Sequence, residues 1–187
     1  MADNDGENDE IAGKGWFVLR VKPKHEKQVF RLIDLLGHES FLPIYRARQR
    51  HTQRWQDTEK PLFPGYVFCR FDRASWVPVI NTPGVVDALR IGKTLAEVDD
   101  EEIEALQRVQ RAKTAMQPWP YLRIGQKIRI EAGPLAGLKG ILSQVKGQRR
   151  LVLSVTLLQR SVLVEIDEDW VMYDPIPKSE LLNRFIS

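Results

Sequence analysis

Pro61-Leu62-Phe63-Pro64-Gly65-Tyr66-Val67-Phe68 brackets a phenylalanine with two prolines and then releases the chain into a strand. Proline fixes φ and offers no amide donor, so Phe63 sits on a bend that cannot slide into a sheet. Gly65 lets the backbone turn or be approached closely. From Tyr66 the run YVFCRF is β-branched and aromatic, the composition of a strand. Alternation puts Tyr66, Phe68 and Arg70 on one face and Val67, Cys69 and Phe71 on the other. A strand apolar on both faces is covered on both, or covered on one and offered to a partner on the other. A plain core strand satisfies the first alternative.

Upstream, Gly15–Val21 reads as the first strand, ended by Lys22-Pro23-Lys24. A helix follows from His25 to Leu36, with Val29, Leu32, Ile33 and Leu36 as its buried stripe and Gly37 as its stop. Residues 39–45 read as a second strand, placed at an edge by Pro43. Residues 46–60 form a basic ribbon with Arg46, Arg48, Arg50, Arg54 and Lys60 around Trp55. Such a ribbon can hold phosphates and stack on a base, or stand as a solvated hairpin tip. Downstream come a short helix over Arg73–Ile80 with Trp76 inward and a fourth strand over Val85–Ile91. A further helix opens at Asp99, with Glu102 completing its cap and Ile103, Leu106 and Val109 facing the sheet. The order β-α-β-β-α-β-α predicts an α+β sandwich with helices on a mostly antiparallel sheet.

Beyond Thr114 the pattern changes. Two prolines flank Trp119, and the linker is placed at 115–121. Short strands then follow at Gln126–Ile130, Leu138–Val145, Arg150–Val155, Ser161–Ile166 and Trp170–Met172. Gly133-Pro134-Leu135-Ala136-Gly137 and Lys146-Gly147-Gln148 supply turns between them. Closure removes sheet edges, so these strands predict a small all-β barrel with no helical form. The expected division is an acidic, disordered tail at 1–13, an α+β domain at 14–114, the linker, a barrel at 122–173 and a tail at 174–187. A short helix is expected through Leu181–Phe185.

The net charge of +3 conceals an asymmetry. Five of the 25 acids lie in residues 1–13, which leaves 20 against 28 basic groups in the remainder. A body this basic suits a polyanionic partner or a solvated basic surface, and charge alone does not separate the two. Cys69 is the only cysteine, so no internal disulfide forms, and a cytoplasmic setting fits. No apolar run reaches the roughly 18 residues of a membrane helix, and the acidic start is unlike a secretory signal. His25, His38 and His51 are scattered, with no zinc-ligand spacing. No glycine-rich phosphate loop occurs. The expectation is a protein without catalytic residues, metal or cofactor, and not an enzyme.

Trp16, Glu26, LFPGYVF at 62–68, Ser75-Trp76 and TPGV at 82–85, followed by Asp99-Asp100-Glu101-Glu102-Ile103, resemble the N-terminal (NGN) domain of the NusG family of transcription elongation factors. Gly133-Pro134-Leu135-Ala136-Gly137 resembles the family's C-terminal KOW motif on an SH3-like barrel. The resemblance runs in order from about residue 15 to 172. Leu157-Leu158-Gln159-Arg160-Ser161-Val162 stands where the general factor has a Phe-Gly-Arg turn followed by Thr-Pro-Val. That departure is similar to specialised paralogues of the UpxY and RfaH kind, which promote antitermination.

The resemblance implies a monomer that binds the β′ clamp helices of RNA polymerase and favours processive elongation. By position, the docking residues would be Phe63, Tyr66, Phe68 and Ile91, with Trp16 beneath; Arg20 stands where one relative has an aromatic. Lys22, Lys24, Gln28 and Arg31, with Arg46, Arg48, Arg50 and Arg54, would touch nucleic acid, non-template DNA among it. Lys22 aligns with a DNA-contacting lysine of RfaH. The base-reading positions of that relative fall on Leu32, Leu35 and Leu36, so its sequence-specific recruitment does not carry over. The KOW barrel, through Arg129, Lys139, Lys146, Arg149 and Arg150, would recruit a second partner, Rho or NusE and the ribosome. Two alternatives stand: a housekeeping NusG acting with Rho or the ribosome, and a ribosome- or RNA-binding KOW protein.

Overall fold

Gly15–Val21 forms strand β1, apolar on both faces, and the first half of the fold is built around it. The computed structural model describes residues 13–51, 54–73, 76–119, 126–145, 148–167 and 170–172. Residues 1–12, Ser75, Lys146 and everything from 173 onward lie outside these, including the helix expected at 181–185. The chain divides into two compact units. One holds the described residues up to Leu42 together with Phe63–Asp100; the other holds Pro43–Leu62 and the described residues from Glu101. This grouping crosses the boundary expected at 114, because the ribbon and the last helix group with the C-terminal strands.

In the first unit, Glu26–Leu35 is helix α1, Glu39–Phe41 strand β2, Tyr66–Phe71 strand β5 and Val85–Ala88 strand β6. The sheet runs β2-β5-β1-β6, every pair antiparallel, and Glu97–Val98 (β9) also pairs with β1. Trp76–Ile80 is the short helix α2. Registers place Trp16, Val18, Phe41 and Phe68 on one face and Phe17, Leu19, Cys69 and Phe71 on the other. All of these are buried. Phe17 stacks on Phe71 at 4.4 Å, and Phe68 sits between Phe41 at 6.1 Å and Phe63 at 5.8 Å.

Three expectations are corrected here. Residues 39–45 are not one strand: the chain breaks at Leu42-Pro43 before the next strand begins. The fourth strand ends at Ala88, and Arg90–Ile91 (β7) instead pairs with Thr94–Leu95 (β8) as a separate ribbon. Leu36 leaves the buried stripe of α1, because the helix stops at Leu35 and Gly37 turns with φ +80. Leu36 is 50% exposed and Leu35 81%.

In the second unit, Ile44–His51 (β3) and Arg54–Pro61 (β4) form a hairpin, and Asp100–Arg111 is helix α3, all but its first residue belonging here. Ile103, Leu106 and Val109 are buried, as expected from their spacing. Met116–Trp119 (β10), Gln126–Ile130 (β11), Lys139–Val145 (β12), Gln148–Val155 (β13), Arg160–Glu165 (β14) and Val171–Met172 (β15) form a six-stranded antiparallel sheet, ordered β10-β14-β13-β12-β11-β15. Five strands fall where the alternation places them. The sixth, β10, occupies the expected linker; as an end strand it tolerates Pro118 opposite Val162. Helix α3 is tied to this sheet. Thr156 donates its hydroxyl to Glu102 at 2.6 Å, and the Arg108 guanidinium donates to the Ala136 carbonyl.

Candidate binding surfaces

Two Pro-Gly bends converge on the end of β1. The Gly65 carbonyl accepts from the Val21 amide and the Gly84 carbonyl from the Lys22 amide, each at 2.9 Å. Gly65 has φ +84 and Gly84 φ +100, conformations that favour glycine. A Cβ on Gly84 would fall 2.9 Å from Val29 Cγ2, so the second bend seats directly on α1. Glu26 secures the first. Its side chain is buried in the opening turn of α1 and accepts the Gly65 amide at 2.8 Å. A carboxylate there also complements the helix dipole. The sequence marked Glu26 by resemblance only; its bond to the bend needs the fold to be seen.

The residues expected at a polymerase-docking patch separate. Phe63, Phe68 and Trp16 are 2%, 0% and 2% exposed. Their rings fill the sheet face and present no accessible surface, because the bend turns Phe63 edge-on to Phe68. Tyr66 is half-buried at the end of β5, facing the exposed Arg20 across the ladder. Ile91 is 72% exposed on the β7–β8 ribbon, apart from the ring cluster. The accessible part of the set is therefore Tyr66 and Ile91.

Lys22, Lys24, Gln28 and Arg31 are all exposed where β1 hands over to α1. Lys24 takes φ +65 in that connection, and Gln28 and Arg31 lie one turn apart on the helix. Arg46 and Arg48 are exposed on the hairpin of the second unit. They face Glu59 and Asp57 across the strands, and Arg48 lies 5.6 Å over the Trp55 ring. Opposed acids temper the basic ribbon that the sequence suggested. The side chains of Arg50, Arg54 and Arg149 lie outside the described residues. On the six-stranded sheet Arg129 and Lys139 are exposed, whereas Arg150 is half-buried and bonds Glu165 at 3.1 Å. Lys127, exposed beside Arg129, is an addition to the set. The period-2 alternation of β11 carried that signal.

Cys69 is fully buried, and burial pushes its thiol from 9.0 up to about 12. The protonated form is favoured in the fold, a contribution lost as pH rises from 9.0 through about 12. The native protein is expected not to react with a thiol reagent at mild alkaline pH, while the urea-unfolded chain reacts freely. Rapid stoichiometric labelling of folded protein would show the thiol to be accessible. Among the described residues no cluster of three His, Cys, Asp or Glu could hold a metal, and no helix is long and apolar enough to cross a membrane.

A family model described as transcription termination factor NusG matches residues 14–107, just over half of the chain. The chain belongs to the NusG family. Its matched residues include the whole first unit from Lys14, which carries the NGN domain. The transcription termination/antitermination protein NusG of Escherichia coli K12 is 27% identical over 175 residues, covering 84% of this chain and 95% of that protein. The protein of the same name from Chlamydia pneumoniae is 24% identical, covering 88% of this chain and 97% of its own length. A solved structure of Thermotoga maritima NusG superimposes with a TM-score of 0.52 at 16% identity, covering 86% of this chain and 97% of that one. That likeness shows a NusG-like fold.

Proposed function

We propose that this NusG-family chain is a transcription elongation factor of the specialised, antiterminating branch, monomeric and cytoplasmic. In this reading the N-terminal domain, residues 14–114, binds the β′ clamp helices of RNA polymerase. Residues 122–173 are an SH3-like KOW domain, which recruits another partner through Arg129, Lys139, Lys146, Arg149 and Arg150. Rho, or NusE and the ribosome, are the partners that the family resemblance supplies. Lys22, Lys24, Gln28 and Arg31 face non-template DNA, with Arg46, Arg48, Arg50 and Arg54 as a second basic set. The reading is carried by the family match over residues 14–107. Family members act by binding one polymerase state better than another, and no bond need be made or broken.

The burial of Phe63, Phe68 and Trp16 gives docking a definite form. These rings hold the sheet, and contact falls to Tyr66 and Ile91, with Arg20 at the rim. Tyr and Arg are among the side chains enriched at the hot spots of protein interfaces. Capture of core RNA polymerase by the immobilised full-length chain tests it. Tyr66→Ala with Ile91→Ser is expected to weaken capture by about tenfold or more with the circular dichroism spectrum unchanged. Unchanged capture in that double variant would remove the docking face. If binding instead fell steeply with salt and followed the Lys and Arg positions, the RNA-binding alternative would take its place.

A further inference from the structure

Three cations mark the joint between β1 and α1. Lys22 and Lys24 flank Pro23 in the connection, and Arg31 stands on the helix that follows. All three are exposed. None of them makes an ion pair among the described residues. Other arginines of the first unit do: Arg70 meets Asp100 at 3.2 Å, Arg73 meets Glu97 at 3.3 Å and Arg90 meets Asp87 at 3.8 Å. Asp34, exposed three residues beyond Arg31, does not pair with it. Glu26 is buried and turned to the Gly65 amide. A basic face that its own unit leaves without carboxylates suits an acidic ligand.

The chain carries such a ligand upstream of β1. Asp3, Asp5, Glu7 and Asp9 fall at every second position, separated by Asn4, Gly6 and Asn8, and Glu10 follows. On an extended backbone, residues at this spacing share one side at intervals of roughly 6.7 Å. A regular row of single negative charges is also what a phosphodiester strand presents. We infer that residues 1–12 dock on the face of Lys22, Lys24 and Arg31 and compete there with nucleic acid. The segment joins the first unit at Gly13, beside Lys14, whose carbonyl accepts from Arg70 at 3.2 Å. Lys22 lies past the far end of β1, whose length is about 23 Å, and twelve extended residues span about 40 Å, so the reach is sufficient. Attachment within the same unit gives an effective concentration near millimolar, and surface ion pairs that are weak singly suffice together. The inference rests on the reading of this face as one that meets DNA, and adds what occupies it when DNA is absent.

The test sets the full-length chain beside a full-length variant with Asp3→Asn, Asp5→Asn, Glu7→Gln, Asp9→Asn and Glu10→Gln. Amide resonances of the two are compared first, without nucleic acid. At low salt the largest differences outside the substituted segment should fall at Lys22, Lys24 and Arg31. They should collapse near about 1 M salt, where screening acts within about 3 Å. Differences confined to the substituted residues, or largest at Lys127, Arg129 and Lys139, would overturn the docking. Fluorescence anisotropy with labelled single-stranded oligothymidylate then reads the competition. The neutralised variant should bind about five- to tenfold tighter than the parent at about 50 mM salt. A change of net charge alone would tighten binding wherever it was made, so the comparison is repeated with Lys22→Gln, Lys24→Gln and Arg31→Gln in both chains. In that background, neutralising the acids should change affinity by less than about twofold. An equal gain in both backgrounds would reduce the segment to a general charge effect and overturn the competition. Oligonucleotide binding absent from every chain would remove the DNA reading of this face, and competition with it, while the amide differences still decide the docking.

Discussion

Phe68→Ala should remove about 3–5 kcal/mol of stability from the first unit. The ring is fully buried on the central ladder, opposite Val18 and Phe41, with Phe63 edge-on at 5.8 Å. Neighbours on paired strands cannot collapse into the space it leaves, so the loss includes a cavity as well as the transfer of the ring. Because the chain has two units, the loss is best read locally, from amide exchange at Val18 and Val67 under urea. Tyr66→Ala, two residues away and half-buried, should cost a fraction of this. The pair separates two explanations of lost polymerase capture. If Phe68→Ala proved nearly neutral to folding yet abolished capture, the ring would be a docking group after all. A large stability loss makes Tyr66 and Ile91 the informative positions.

The strands of both units were legible because each carries its own period. YVFCRF alternates two apolar faces, and Leu151, Leu153 and Val155 alternate with smaller or polar neighbours in β13. Turn chemistry was equally local: Gly37, Gly65, Gly84, Gly133 and Gly137 all take positive φ where sequence placed stops and turns. What escaped depends on partners distant in sequence. Met116–Trp119 read as a linker because Pro118 and Pro120 break a strand pattern; pairing with β14 at the sheet's end overrides that. Phe63 and Phe68 read as an offered surface because composition cannot say whether a second face is covered. The acids Asp57 and Glu59 were in plain view, yet only the hairpin register sets them opposite Arg48 and Arg46. For the binding surfaces, residue type was visible and accessibility was not.

Leu135→Ala is expected to cost the second unit about 2–5 kcal/mol, although the residue lies in a glycine-rich turn. Turn residues are ordinarily solvated, and substitutions there fall within about half a kcal/mol. Leu135 is instead fully buried. Its turn is held by bonds that leave little freedom to relax. The Ala136 amide donates to the Gly133 carbonyl at 3.2 Å, the Leu138 amide to the Leu135 carbonyl at 3.1 Å, and the Gly137 amide to the Ile130 carbonyl at 2.5 Å. Trp170 closes the other side: a Cβ on Gly133 would lie 2.5 Å from its ring. A backbone fixed at this many points cannot settle into the cavity that a shortened side chain leaves. Pro134, exposed in the same turn, is the internal comparison, and Pro134→Ala should change stability by less than about 1 kcal/mol. Amide exchange at Leu151 and Val164 reads both variants within the sheet they affect. Equal and small losses for the two would mean that the turn lies on the sheet without belonging to its core. A large loss at Leu135 alone would make the glycines necessary for a different reason: they let the chain bend tightly enough to drive one leucine into the core.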